Sequence, residues 1–362
     1  MREFRIAVFP GDGIGREVMA PCVTLLEAVA AQAEEFRLRF ESHEAGAELY
    51  RTTGVALPEE ALRAAASADA ILLGAMGHPD VRYPDGTEVV PQIDLRDRFQ
   101  LYAGIRPIRV LPGVQIPLAD PRARGIDFVI VRESTEGLFA ARGESRREGD
   151  AAVLDTMRIS RHGCERLFEA AFALARRRRR PGRPVRVTCV DKANVLKSMA
   201  FFRGIFLECA ARYSDVTADC AYVDAVALRL VRSPWEFDVL VTENMFGDIL
   251  SDLGAGLMGG MGMAPSADIG DTHAVFQPCH GTAPDIAGRG LANPVAMFLS
   301  AAMMLDWLGD RHAVAACGRA AVTLSRAVER AFADGTLVPV EHGGTAGTAK
   351  IAERVRKELT LP

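Results

Sequence analysis

Two aspartates four residues apart, Asp248 and Asp252 in Phe246-Gly247-Asp248-Ile249-Leu250-Ser251-Asp252, fall on one face of any helix that carries them. Like charges at that spacing repel unless a cation lies between them, and carboxylates offer hard oxygen ligands of the kind that suit Mg²⁺ or Mn²⁺. Two independently solvated acids are the other reading of the same pair. Three arginines stand where they could converge: Arg96 in Leu95-Arg96-Asp97, Arg106 in Gly104-Ile105-Arg106-Pro107, and Arg132 at the end of an apolar run. A guanidinium grips a carboxylate through two parallel hydrogen bonds, so several around one pocket would suit a small di- or tricarboxylate, whereas each alone is an ordinary ion-pair arginine. Lys192 closes another apolar run. Desolvation there would lower its pKa towards that of a general base, unless a salt bridge to Asp191 or another acid holds it.

The elements that must position these groups are short β-branched runs at Arg5–Phe9, Ala70–Leu73, Asp127–Val131, Arg186–Val190 and Asp238–Val241, which read as buried strands. Amphipathic segments at Gly15–Ala31, Ser160–Arg180 and Phe246–Leu257 read as helices between them. This alternation predicts an α/β fold with a largely parallel sheet, in which ligands gather beyond the carboxyl ends of the strands. Four such ends carry glycine or charge: Gly11-Asp12-Gly13-Ile14-Gly15, Arg132-Glu133-Ser134-Thr135, Asp191-Lys192-Ala193-Asn194, and Thr242-Glu243-Asn244 leading to Asp248. The glycine segment does not complete GxGxxG and no acid ends a second strand at the expected distance, so this is not a Rossmann fingerprint.

Composition removes other function classes. With 43 Lys plus Arg against 47 Asp plus Glu, the 362-residue chain carries a formal charge of −4, too mild to mark a nucleic-acid or anionic-membrane binder. The run Arg176 to Arg180, followed by Pro181-Gly182, reads as a solvated helix end. The apolar stretch Ala296 to Leu305 contains Ser300 and stops at Asp306, short of the roughly 18 residues a spanning helix needs. The N-terminus leaves no room for a signal peptide, and seven cysteines without a CxxC pair suit reduced, buried thiols, so the expectation is a cytoplasmic enzyme.

These residues also resemble a known family. GDGIG, the LR…GIRP pair, VRESTEG, DKANVL, YVDA, FGDILSDL, HGTAPDIAGRGLANP and GGTAGT occur in order between residues 10 and 348, as they do in the β-decarboxylating dehydrogenases, of the 3-isopropylmalate dehydrogenase-like kind. The resemblance implies two domains, residues 1–101 with 259–362 and residues 102–258, and a doubly wound fold that is not Rossmann's. It implies a homodimer with shared active sites, in which the lysine and one aspartate come from the partner. By resemblance Arg96, Arg106 and Arg132 clamp the substrate carboxylates, Lys192 with Asp224 serves the 2-hydroxyl proton, and Asp224, Asp248 and Asp252 hold Mg²⁺ or Mn²⁺. NAD would lie along Ile14, Asn194 and the loop His280, Gly281, Thr282, Ala283, Asp285, Ile286 to Asn293. An aspartate at 285 accepts hydrogen bonds from a ribose but repels the 2′-phosphate of NADP.

Two positions depart from the family pattern. Phe139 stands where relatives carry a tyrosine that returns a proton to C3, which leaves water or another hydroxyl such as Tyr102 for that step; Gln277 stands where they carry glutamate. Around the C3 substituent, Gln92 is polar where an isopropylmalate enzyme presents leucine, whereas Val195 is as apolar as that enzyme's pocket. The expected activity is NAD- and metal-dependent oxidative decarboxylation of a 3-substituted malate, most like isopropylmalate. Tartrate, D-malate, isocitrate or homoisocitrate are alternative substrates, and a non-catalytic regulatory subunit is the alternative of another class.

Overall fold

The computed structural model describes residues 1–359 apart from 142 and 184. Its strands are β1 (Arg2–Gly11), β2 (Phe36–Ser42), β3 (Ala70–Ala75), β4 (Ala103–Arg109), β5 (Asp127–Glu133), β6 (Arg146–Glu148), β7 (Ala152–Leu154), β8 (Arg186–Asp191), β9 (Thr217–Tyr222), β10 (Val239–Thr242), β11 (Pro265–Ile269) and β12 (Ala274–Pro278). Ten of them form one sheet in the order β2-β1-β3-β12-β11-β4-β5-β10-β8-β9, and β6 pairs with β7 alone. Neighbours run parallel on both sides, as the alternating pattern predicts. The centre does not: β11 is antiparallel to β12 and to β4, and β4 is antiparallel to β5. A connection of only residues 270–273 joins β11 to β12, too short for the crossover that a parallel pair needs.

Side-chain pattern explains the elements nearest the site. β3 (AILLGA) is buried on both faces, as a strand covered by helices on each side must be. Helix Arg161–Arg177 starts at Ser160, whose hydroxyl accepts from the Gly163 amide at 3.0 Å, and it buries Cys164, Leu167, Phe168, Ala171, Phe172 and Ala175. Helix Asn244–Met258 starts at Glu243, whose buried carboxylate accepts from the Met245 and Phe246 amides at 3.1 and 2.6 Å. Gly247 lets this helix press on β5, because a Cβ there would sit 2.6 Å from Arg132 Cγ.

The arginine run lies at an exposed helix end, as the sequence suggests, except for one member. Helix Arg161–Arg177 ends before Arg178, which turns inward to Asp127 and Asp238 at 3.0 and 3.1 Å. Arg176 and Arg179 pair with Asp215, Arg180 with Asp127, and Arg177 with Asp306 and Asp310. Each guanidinium of the run faces an acid, four of them in solvent-exposed ion pairs. The seven cysteines are free thiols, five buried and two half-buried. No described helix is long and apolar enough to cross a membrane.

Candidate active site

The carboxyl ends of β3, β5 and β12, the middle of β4 and the amino end of β11, with helices Pro91–Phe99 and Asn244–Met258, enclose a cleft of about 140 Å³. Gln92, Arg96, Arg106, Arg132, Asp248, Asp252, Gln277, His280 and Gly281 line it. The three arginines and two aspartates singled out from sequence therefore share one cavity. A larger groove of about 590 Å³ beside Met258, Leu299 and Met303 shares no residue with it, and its Arg109 and Glu329 neutralise each other at 2.7 Å.

Each guanidinium is held from behind. Arg132 gives Nε and Nη2 to Asn244 Oδ1 at 3.0 and 2.8 Å, and its Nη1 to Asp248. Burial, then the nearby Arg96, push Arg132 down to about 10, and it stays charged at neutral pH. Asp268 lies fully buried between the other two, accepting from Arg96 Nε at 3.1 Å and Arg106 Nη2 at 2.9 Å. Burial by itself would raise Asp268, but Arg106 and Arg96 outweigh it and hold the acid well below the usual carboxylate range.

Asp248 and Asp252 do share a helix face towards the cleft. Burial first, and the Asp248 charge second, raise Asp252 above an ordinary aspartate. That is the electrostatic signature of a carboxylate pair that would gain from a cation, and its donors are hard oxygens. The glycine turn serves the other side. Asp12 accepts from the Ala47, Glu48 and Gly77 amides at 2.7, 3.0 and 2.9 Å, a structural role. The Ile14 amide donates to Thr282 O at 2.9 Å, and a Cβ on Gly13 would lie 2.2 Å from that same oxygen, so the turn packs directly on the loop that begins at His280. In that loop Ala283 has φ +36°, Asp285 is exposed, and Asn293 Nδ2 donates to Glu341 at 2.6 Å. His280 Nδ1 is 2.8 Å from Gly281 O, while burial lowers the ring's pKa and leaves Nε2 enclosed without a partner.

Lys192, Asn194, Val195 and Asp224 stand apart from this cavity. Lys192 is not tied to Asp191, which takes two bonds from Arg203 at 2.8 Å each; it donates instead to Asp224 at 2.7 Å. Asn194 and Val195 are exposed, the latter 67%. Phe139 lies near the clamp, with the Arg132 guanidinium 5.5 Å from its ring centre. Tyr102 does not replace the missing hydroxyl: it donates to Asp271 at 3.0 Å, does not line the cleft, and is pushed up to about 12 by burial and that bond.

The isocitrate/isopropylmalate dehydrogenase family model matches residues 5–355. The chain belongs to that family. Within this dehydrogenase family it is 42% identical over 98% of both chains to the 3-isopropylmalate/3-methylmalate dehydrogenase of Methanocaldococcus jannaschii. It is 41% identical, again over 98% of both, to the isocitrate/homoisocitrate dehydrogenase of Thermus thermophilus. The crystal structure of isocitrate dehydrogenase from Methylococcus capsulatus superposes with a TM-score of 0.86 at 35% identity, covering 99% of this chain and 100% of that one. The protein is thus a decarboxylating dehydrogenase of the isocitrate/isopropylmalate type. Sequence reasoning missed Asp268, which stands behind this dehydrogenase cleft, and marked Asn244 only as part of the strand end Thr242-Glu243-Asn244. An acid inside the apolar run Pro265–Ile269 was the available signal for the first; the role of the second depends on an arginine 112 residues away.

Proposed function

We propose that this enzyme oxidises and decarboxylates a 3-substituted malate, using NAD and Mg²⁺ or Mn²⁺, as a homodimer with shared active sites. The observation that carries the reading is the single small cleft in which three guanidiniums face Asp248 and Asp252. Two carboxylates of a malate core are what such a cluster can neutralise. Asp248 and Asp252 suit a hard dication in donor chemistry, and Asp252 in charge balance. The unpartnered His280 Nε2 and the close approach of Gly13 to Thr282 suit a nucleotide along the loop to Asn293. Bound there, NAD would supply a hydride acceptor, and a dication held by Asp224, Asp248 and Asp252 would supply Lewis-acid chemistry for the decarboxylation.

The chain's own residues do the rest. Arg96, Arg106 and Arg132 orient the substrate, and Arg132 would exchange Asp248 for a substrate carboxylate when that acid takes up the metal. Lys192 takes the proton from the 2-hydroxyl, and Asp224 holds its ammonium in place. Those two residues come from the second copy, which seats on the helices Val223–Arg232 and Asn244–Met258: they leave Leu228, Val231 and Ile249 at 58%, 50% and 61% exposure, an apolar patch that a monomer would show to water. The halves of the sheet support a domain division at residues 1–101 with 259–362 and 102–258.

Gln92 favours a second substrate. Its Nε2 donates to Met76 O at 3.3 Å, which leaves Oε1 buried without a partner at the cleft. An isopropyl group would keep that acceptor unsatisfied at a cost of about 1–3 kcal/mol, whereas a hydroxyl on C3, as in tartrate, would satisfy it. NADH formation with Mn²⁺ over isopropylmalate, tartrate, D-malate, isocitrate and homoisocitrate tests both readings. Turnover of at least one is expected; none with any of the five would favour a non-catalytic subunit.

A further inference from the structure

We infer that Asp268 and Gln277 form one coupled positioning unit for the carboxylate clamp, in which the acid must be charged and its neighbour neutral. This rests on the reading that Arg96 and Arg106 bind the substrate. Asp268 on β11 and Gln277 on β12 are diagonal neighbours across an antiparallel pair, since Ser266 stands opposite Gln277 and Asp268 opposite Val275. Every lone-pair direction of Asp268 is used. Oδ1 accepts from Arg106 Nη2 at 2.9 Å and Ser134 Oγ at 3.4 Å; Oδ2 accepts from Arg96 Nε at 3.1 Å and Gln277 Nε2 at 3.0 Å.

The consequence for the clamp is an asymmetry between its members. Arg106 also commits Nη1 to Ile105 O and Ala267 O at 3.2 and 3.0 Å, so most of its donors face the protein. Arg96 commits only Nε, and among the described residues its terminal nitrogens have no hydrogen-bond partner. Asp268 thereby turns the open fork of Arg96 into the cleft, while Arg106 serves chiefly as the buried counter-charge that keeps Asp268 ionised. Asp268 lies behind the cleft and acts through the two arginines, whereas Gln277, at the cleft wall, acts on them through Asp268.

Gln277 follows from the same geometry. A glutamate there, which the family resemblance leads one to expect, would place a second carboxylate about 3 Å from Asp268 in a buried site, where two like charges cannot both ionise. One would take a proton or draw an arginine out of line. The departure at 277 is then no sign of lost function but the complement of an acid placed at 268, and moving the charge from one position to the other should be tolerated better than having it at both or neither.

A double-mutant cycle of Asp268→Asn, Gln277→Glu and the two together tests this. It is read in KM for the hydroxy acid that the parent turns over fastest, in KM for NAD, and in calorimetric binding of malonate, a dicarboxylate probe that needs no turnover. Each single variant is expected to raise KM for the hydroxy acid and weaken malonate about 10- to 100-fold, with KM for NAD unchanged within about threefold, and the double variant to return to within about fivefold of the parent. An Asp268→Asn enzyme with parental values, or a double variant no better than the worse single, overturns the inference. If Asp268→Asn does not fold, the comparison of Gln277→Glu with the double variant decides, because only the coupled unit predicts rescue. A parent that oxidises no hydroxy acid and binds no malonate removes the reading of the cleft itself, whereas an active parent with additive effects removes the coupling alone.

Discussion

Lys192 Nζ donates to Asp224 Oδ1 at 2.7 Å, yet neither residue lines the cleft that holds Arg132, Asp248 and Asp252. A lysine and an aspartate preassembled outside the arginine cluster are what a site shared between two copies requires. The first prediction uses that separation. Lys192→Met and Asp252→Asn should each be almost inactive, with kcat down on the order of 10² to 10⁴ for the first. Mixed and reassembled in equal amounts, they should recover about a quarter of the parental activity, since half the dimers are mixed and one of their two sites is intact. No recovery in mixtures shown to contain mixed dimers would mean that each copy works alone.

Chelation should abolish turnover, and Mg²⁺ or Mn²⁺ should restore it, because Asp248 and Asp252 offer only oxygen ligands at the cleft. Asp252→Asn should weaken Mn²⁺ binding, measured by calorimetry on the resting enzyme, at least about tenfold. Full activity in excess chelator contradicts the assignment.

Asp285 lies exposed on the loop that follows His280, where a 2′-phosphate would meet its negative charge. The enzyme should prefer NAD to NADP in kcat/KM, and Asp285→Lys should narrow that preference by about tenfold or more. A parent that prefers NADP is the contrary result.

Phe139 stacks near Arg132 without a hydroxyl to deliver a proton. Phe139→Tyr should raise kcat on the best substrate, or raise the ratio of decarboxylated to undecarboxylated ketone seen by NMR, with stability within about 1.5 kcal/mol of the parent. Unchanged kcat and product ratio, with only KM shifting across a substrate series, would assign the ring to packing against the C3 substituent.

Asp268 makes a pH prediction with a definite sign. Its folded pKa is depressed, with burial outweighed by Arg106 and Arg96, so it stabilises the fold above the ordinary aspartate pKa of about 4, and that contribution fades as pH falls towards the depressed value. Asp268→Asn should cost on the order of 3–5 kcal/mol near neutrality, because it leaves two buried guanidiniums without their counter-ion. The gap from the parent in urea unfolding should stay level between about pH 5.5 and 8 and narrow below about pH 4. A gap that widens on acidification would show that Asp268 is not the ionised partner.

Much of this was local enough to read along the chain. The strands β1, β3, β5, β8 and β10 announce themselves because burial on both faces demands short, largely apolar runs, and the spacing of Asp248 and Asp252 fixes them on one helix face whatever that helix packs against. The ordered motifs fixed the family. The antiparallel centre was less legible, since β11 and β12 are five residues each and take their direction from a short connection and from β4, not from their own composition. Tertiary structure alone decided which partner each charge has. Asp268 meets Arg96 across 172 residues and Arg106 across 162, Arg132 meets Asn244 across 112, and the arginine run spends its charge on Asp127, Asp215, Asp238, Asp306 and Asp310. A sequence specifies that a charge is present; whether it is solvated, neutralised or free to bind a substrate depends on the burial and distance of groups that only folding brings within about 3 Å.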